Sequence, residues 1–513
     1  MRDKNLNKAP HWSSKPSLWL LLIVVSALIA RLYHITYPPY DLHWFRQTQT
    51  AGLIRDWYRS DINMLYPTIL SLGKPGYLVL EFPLYQAISA ILYRLIAPDL
   101  IVARVFTIIT GLVSIFFVYR ISCRFLDRKS SVMAAFFFAF MPLDIFFQRV
   151  PMQDPFTVLF SLIMLYCLIE GVAGKRIYLL FATLAASLGL MMKSPYVAPL
   201  FSPFFYLLWK GRGKPGAAAS KLELAGVFAV SAAAMIVWQH HSNFVNDIYC
   251  NKDTYPFKDI YPTLVVKLHP FNTWYFGTIA QRLNPANYLT IIHRLAIEAL
   301  TPAGIILFVI GSIHLARQRR DKKAFAFFSI WLFSLCLVVM ITFNLYIVHD
   351  YYLLPFCPAL SIFCGAGAGS LLDSAEKRGK PAAAAFLVIM AVAFLVPGFS
   401  TAKGFFHNDV LAAEIGQFVE DHTDKDAMVA IVSPMRELYD PTMLCFADRH
   451  GFVIPADKMN AEMLNYFVRQ DIKYLAVVKA QGLDYMPGKV ALMKIYDISS
   501  GKPVQQAEGW KFL

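Results

Sequence analysis

Two acidic residues sit in surroundings that suit proton chemistry at the edge of an apolar phase. Asp41 follows the run Pro38–Pro39–Tyr40 in "PPYDLHWFRQTQT", with His43, Arg46 and Gln47 close behind it. Asp154 lies in "FFQRVPMQDPF", with Arg149 upstream and Pro155 directly after. Two carboxylates brought to one cavity from separate loops can divide the work. One takes a proton as general base, and the other orients the substrate or holds a divalent metal. The plainer reading makes both helix caps, Asp41 for the helix after it and Asp154 with Pro155 for another. Carboxylates near membrane depth are functional more often than surface ones, which favours the chemical reading. Glu81, in "EFPLY", either assists such a site or pairs with a nearby Arg or Lys.

The elements that must position these groups are membrane helices. Hydrophobic residues make up 57% of the 513-residue chain and charged residues only 16%. The mean hydropathy is +0.48. A soluble chain carries about 25% charged residues, so this one has too few to cover a water-facing surface of its size. Its apolar residues gather into blocks near the ~20 residues that cross a bilayer, and within lipid such a block pairs its backbone only as a helix. Crossings are expected near 17–36, 101–120, 130–147, 155–173, 177–192, 196–210, 222–240, 297–316, 324–346, 352–372 and 381–398. That makes a polytopic α-helical membrane protein of about eleven spans. The run Pro83 to Ala97 is short for a span and is expected to lie at the outer interface or re-enter it.

The net charge of +14 reports topology. Arg2, Lys4, Lys8 and Lys15 precede the first apolar block. Arg120, Arg124, Arg128 and Lys129, then Lys175 and Arg176, then Lys210, Arg212 and Lys214 fill short connections between blocks. So do Arg317, Arg319, Arg320, Lys322 and Lys323, and finally Lys377, Arg378 and Lys380. This is the positive-inside pattern, which marks these connections as cytoplasmic and speaks against a nucleic-acid partner. It predicts a cytoplasmic N-terminus, a multi-pass chain in the cell's inner (plasma) membrane, and a first block retained as an anchor. The outer, periplasmic segments are then loop one (37–100), a second long loop (241–298) and the tail (401–513). Residues 1–400 form the membrane module. The tail, with an amphipathic run at Leu411–Val419 and strand-like runs at Ala427–Val432 and Ile472–Val478, reads as a small α/β domain. Of seven cysteines only Cys250 and Cys445 face outward, and unpaired thiols are the simpler reading.

The order of these features resembles the GT-C superfamily of membrane glycosyltransferases. More narrowly, it resembles the family 39 group of protein O-mannosyltransferases and the lipid A aminoarabinose transferase. The matching pieces are Asp41 after the first crossing, "EFPLY" before an interfacial helix, Arg104 opening the second crossing and Asp154 after the third. "MMKSPY" with Lys193 and "HDYYLLPFCPAL" complete the set, over about residues 15–400. The resemblance implies transfer of a sugar from a polyprenyl-phosphate donor to a lipid, glycan or protein acceptor on the outer face, with inversion. Asp41 would be the general base and Asp154 the second acid, with Lys193, Tyr351 and Tyr352 near the donor phosphate. Lys74, Arg149 and His349 are further candidates for that phosphate, because a cation at membrane depth needs an anionic partner. His349 beside two tyrosines also fits an aromatic belt. His43, Arg46, Gln47 and Glu81 would stand near the acceptor or sugar. No cofactor is required, since a lipid phosphate is already a good leaving group; a divalent metal, if used, would sit on Asp41 and Asp154. The chain departs from the pattern where Leu42 replaces a common Glu and Phe82 replaces the Lys of the aminoarabinose branch.

The alternative from another class is a membrane transporter or lipid flippase for a glycolipid. It predicts paired repeats, broken helices and acids at mid-membrane. The unusual residues cluster instead in the outer loops.

Overall fold

The computed structural model describes residues 18–39, 41–210, 217–249, 273–317, 322–406, 411–433, 440–480, 491–498 and 502–507. Arg2, Lys4, Lys8, Lys15, Arg212, Lys214, Arg319, Arg320, Tyr40 and Cys250 lie outside them. In chain order the helices are α1 (Leu18–Arg31), α2 (Trp44–Arg59), α3 (Leu84–Leu95), α4 (Leu100–Ser122), α5 (Arg128–Phe140) and α6 (Pro142–Phe147). Then come α7 (Asp154–Val172), α8 (Ile177–Val197), α9 (Ser202–Lys210), α10 (Ala217–Tyr249), α11 (Thr273–Phe276) and α12 (Ile279–Leu283). They continue with α13 (Pro285–His293), α14 (Thr301–Arg317), α15 (Lys322–Ile341), α16 (Phe343–Val348), α17 (Phe356–Glu376) and α18 (Lys380–Phe405). The tail holds α19 (Leu411–His422), β1 (Met428–Ser433), α20 (Thr442–Ala447), β2 (Gly451–Pro455), α21 (Ala461–Arg469), β3 (Ile472–Ala480), β4 (Ala491–Asp497) and β5 (Lys502–Ala507).

Among the described residues, eight helices are long and apolar enough to cross a membrane, and α1 is a shorter apolar one. Prolines account for most departures from plain spans. The expected crossing at 130–147 is α5 and α6 joined at Met141, whose φ/ψ of −59°/135° is what a residue before Pro142 adopts. The two expected crossings at 177–192 and 196–210 form one helical run broken at Lys193 (φ −155°, ψ 90°), two residues ahead of Pro195. The proline ring clashes with the preceding turn and supplies no N–H, so the helix opens there. The α3 helix has 12 residues, about 18 Å of rise, too short to cross ~30 Å of hydrocarbon.

The chain divides into two compact units. The first holds residues up to Ile35, Arg104–Gln239 and Leu268–Phe405. At its centre α17 is buried almost continuously from Phe356 to Gly369, because glycines let its neighbours come close. A Cβ on Gly365 would stand 2.6 Å from backbone atoms of Ser130 and Ala134 in α5, and one on Gly311 in α14 would stand 1.9 Å from the Phe363 carbonyl oxygen. This is backbone-to-backbone packing of the kind small residues allow in membranes. Arg31, fully buried, donates to the Gln148 side chain (2.7 and 3.1 Å) and to the carbonyls of Ala27 and Ala139. Gln148 in turn donates to Asp144 at 2.8 Å, so the buried cation is balanced through a hydrogen-bonded bridge.

The second unit holds Thr36–Ala103, the C-terminal end of α10 from His240 and the tail. Its sheet runs β2-β1-β3-β4-β5, parallel across β2, β1 and β3 and antiparallel beyond. Buried on both faces, β1 is apolar from Met428 to Val432, as a central parallel strand tends to be, and ends in the buried Ser433. The small C-terminal α/β fold is therefore present. It does not close its core alone. Leu70 of loop one packs with Ile415, Val419, Val429 and Ile431, and Ile69, Leu72 and Leu78 pack with Phe452, Ile454 and Phe467. The Gly73 N–H donates to the Gly451 carbonyl at 2.9 Å, which caps the β2 edge. Arg55 and Arg59 of α2 hold Asp448 at 2.8 and 2.5 Å. Burial raises the Asp448 carboxyl, but the two guanidiniums outweigh it and leave it below the usual carboxylate range. Cys445 is buried in this core.

Candidate active site

The residues singled out in the sequence fall into one group in each unit. In the second unit Asp41 is completely buried. It is not the cap of α2: that place is taken by His43, which adopts a left-handed φ/ψ of 60°/39° and makes no side-chain cap bond. The Asp41 Oδ1 instead accepts a 2.6 Å hydrogen bond from Nε2 of Gln47, which also donates to the Leu42 carbonyl at 2.9 Å. The left-handed turn at His43 folds the first turn of α2 back over Asp41, and the carboxylate dictates that the Gln47 amide present its NH₂. The Gln47 Oε1 is buried without a hydrogen-bond partner among the described residues. Arg46, one position earlier on the helix, meets Glu81 at 2.5 Å and Gln49 at 2.7 Å. Glu81 thus makes the ion pair that was one of its two readings. Lys74 is exposed, and its ammonium lies 3.5 Å from the Asp426 carbonyl on the C-terminal domain.

In the first unit, Asp154 is the first residue of α7, with Gln153 in the cap position and Pro155 just inside. Its carboxylate is buried and receives the Lys193 ammonium. The break that Pro195 imposes turns Lys193 out of the helical path. Tyr196, also fully buried, places its hydroxyl 2.7 Å from Asp154 Oδ1 and 2.7 Å from the Tyr351 carbonyl. The ammonium lies over three rings, 4.4 Å from the centre of Tyr351, 4.6 Å from Tyr352 and 5.4 Å from Tyr196. A buried cation beside three π faces and one carboxylate is stabilised by both. His349 stacks on Tyr351 at 4.9 Å and leans against Trp274 at 6.1 Å. Arg149 is fully buried; it donates to the His34 carbonyl at 2.6 Å and stands 5.7 Å over the Phe146 ring. Arg104 grips the neighbouring Ile35 carbonyl at 2.7 Å.

Asp154, Lys193, Tyr351, Tyr352 and His349 are therefore one connected cluster, and Asp41, Gln47, Arg46 and Glu81 another. The sequence reading passed over Tyr196, whose signal is its place three residues after Lys193 in "KSPY". It also missed Arg294, which donates to the Tyr346 and Ile347 carbonyls at 2.9 Å each and so fixes the chain entering His349. Arg294 begins a π-helical turn that runs to Leu300, and the buried Thr301 after it has a φ of +63°. Such irregular helix geometry concentrates at functional sites. Among the described residues no three His, Cys, Asp or Glu side chains gather to hold a metal ion. Asp154 Oδ1 is already engaged by the Lys193 ammonium.

A protein-family profile described as dolichyl-phosphate-mannose-protein mannosyltransferase matches residues 75–238. No curated protein matches the chain in sequence. Solved structures match its fold. ArnT from Cupriavidus metallidurans, bound to undecaprenyl phosphate, superposes with a TM-score of 0.59 at 13% identity, over 90% of this chain and 93% of that one. The oligosaccharyltransferase AglB from Archaeoglobus fulgidus, in complex with an inhibitory peptide and a dolichol-phosphate, gives 0.58 at 11%, over 90% of this chain and 69% of that one. The arabinofuranosyltransferase AftD from Mycobacteria gives 0.52 at 13%, over 92% of this chain and 35% of that one. Identities this low speak to architecture alone. In fold, this chain is similar to the membrane glycosyltransferases of the GT-C superfamily, as the order of its motifs indicates.

Proposed function

We propose that this chain is an integral-membrane glycosyltransferase that moves a sugar from a polyprenyl-phosphate donor to an acceptor on the periplasmic face. The observation that carries the reading is Asp41, a carboxylate with no exposed surface, aimed by Gln47 at the head of α2 in a chain of GT-C architecture. A buried carboxylate with one oxygen anchored is the arrangement a general base needs to take a hydroxyl proton from an acceptor. The attack inverts the anomeric carbon, and the lipid phosphate departs with the bonding electrons. Lys193 supplies the cation for that developing charge, with His349, Tyr351, Tyr352 and Arg149 as its neighbours in role. Asp154 and Tyr196 hold the ammonium until a phosphate competes for it. Arg46 and Glu81 shape the acceptor side; Lys74, exposed against the C-terminal domain, has the weakest claim to the phosphate. The reaction draws on the donor's own leaving group and asks for no cofactor. Polyprenyl phosphate is bound by structural neighbours, which supports the donor class.

The test uses membranes carrying the full chain and a panel of radiolabelled sugars linked to undecaprenyl phosphate. Label should pass into a lipid, glycan or protein fraction. Asp41→Asn keeps the shape and removes proton acceptance, so turnover should fall about 10²–10⁴-fold while donor binding persists. Wild-type turnover in a folded Asp41→Asn protein would sink the mechanism. Vectorial movement of intact glycolipid without transfer of label would establish the transporter reading instead.

A further inference from the structure

The C-terminal end of α10 carries a buried device that neither the family resemblance nor the proposed reaction uses. Asn246, in its last two turns, directs both ends of its amide at one residue of loop one. Its Nδ2 donates to the Val79 carbonyl at 2.7 Å and its Oδ1 accepts from the Val79 N–H at 2.9 Å. Ser242, four positions earlier on the same face of the helix, donates to the same carbonyl at 2.6 Å. Asn246 and Ser242 are both buried, and Val79 has no exposed surface. An asparagine used this way replaces the neighbouring strand that an extended residue would otherwise pair with. Two further contacts seat the same stretch of helix: His241 Nε2 lies 2.8 Å from the Leu65 carbonyl, and the Tyr249 ring packs edge-on against Tyr77 at 4.9 Å.

The position of Val79 gives the clamp its meaning. Residues 78–83 belong to no helix or strand. Glu81, two residues on, holds Arg46 at 2.5 Å. Arg46 precedes Gln47, which holds Asp41 at 2.6 Å. A short path of two ion-paired or hydrogen-bonded links therefore runs from the clamp to the proposed base, all inside one compact unit. We propose that Asn246, assisted by Ser242, is a positioning residue for the Asp41 site, setting the place of Glu81 and through Arg46 the head of α2. The proposal rests on the reading of Asp41 as the base. Burying an amide costs more than burying a leucine of the same size unless every hydrogen bond is made, and here both ends are spent on one backbone unit.

The test pairs two readouts on the full-length chain. Hydrogen exchange of the segment 78–82 should quicken at least tenfold in Asn246→Ala, with the rest of the protein unchanged. Turnover should fall roughly 10–100-fold while the affinity for undecaprenyl phosphate stays within about twofold, the scale expected when a catalytic group is misplaced by about an ångström. In an Asp41→Asn background the same substitution should lower turnover no further, because its effect passes through Asp41. Should Asn246→Ala fail to fold, Ser242→Ala and Asn246→Asp each leave part of the clamp and should give intermediate values of both readouts. Wild-type turnover alongside quickened exchange would overturn the proposal, as would an equal further loss in the Asp41→Asn background. A fully active Asp41→Asn protein would remove the reading beneath it. Failure of the clamp alone shows itself as an inactive Asp41→Asn beside an active Asn246→Ala.

Discussion

At the residue scale the Lys193–Asp154 pair decides how the site can be tested. Both side chains are nearly without exposure, at 3% and 1%. Removing one partner of a buried pair strands the other charge and costs about 3–5 kcal/mol, whereas replacing both with uncharged groups is often neutral. Lys193→Ala should therefore lower the melting temperature as well as donor binding. The double variant Lys193→Met with Asp154→Asn should recover most of the stability but not the affinity for undecaprenyl phosphate. Calorimetry alongside binding to lipid-loaded nanodiscs checks both. If affinity returns with stability, Lys193 serves the fold and the phosphate site must be sought at Arg149.

At the element scale the contacts are of two kinds, and each gives an expectation. A Cβ on Gly367 would fall 2.2 Å from the Leu307 carbonyl oxygen, with no flexible side chain to yield. Gly367→Val should force α17 and α14 apart and lower stability by more than about 1–3 kcal/mol, the usual cost of overpacking, measured by thermal melting in detergent. The seam between loop one and the sheet is electrostatic instead. Asp448 titrates below the ordinary carboxylate range once folded, so its pairing with Arg55 and Arg59 stabilises above its unfolded pKa and is lost as pH falls through the folded one. Asp440, pushed up by burial, works in the opposite sense. Asp448→Asn should flatten the acid limb of the stability profile below about pH 4 by roughly 1 kcal/mol, followed by melting across pH. An unchanged limb would show that Asp448 contributes nothing there.

At the scale of the whole molecule the expectation is orientation. The three apolar helices α15, α17 and α18 put Lys322 and the C-terminal sheet on opposite sides, and the basic residues beside Lys322 assign that end to the cytoplasm. Reporter fusions at Lys322 and at Gly451 should light up on opposite sides of the membrane. A common compartment for both would mean that α15, α17 and α18 do not all cross, and would overturn this orientation.

Much of this molecule was legible in its amino acids, for reasons that differ by layer. Twenty-residue apolar blocks admit a single backbone solution in lipid, so the helices at 100–122, 154–172, 322–341, 356–376 and 380–405 follow from composition. The break that proline makes at Met141–Pro142 was not read in advance: one crossing was expected over 130–147, and the break emerged only in the structure, although local stereochemistry explains it. The strands at Met428–Ser433 and Ile472–Ala480 follow from β-branched runs between turn signals. Partners were not legible, because hydrogen bonds and ion pairs join residues far apart in the chain. Nothing near Asp154 announces that Lys193 will neutralise it 39 positions later, nor near Val79 that Asn246 will hold it from 167 positions away. Asp41 showed the same limit. Its setting suited either a base or a cap, and the left-handed turn at His43 alone took the cap away and left the carboxylate to Gln47. The core shared by loop one and the tail is likewise a tertiary decision: Ile69, Leu70 and Leu72 read as ordinary loop residues until the sheet supplies the surface against which burying them is favourable.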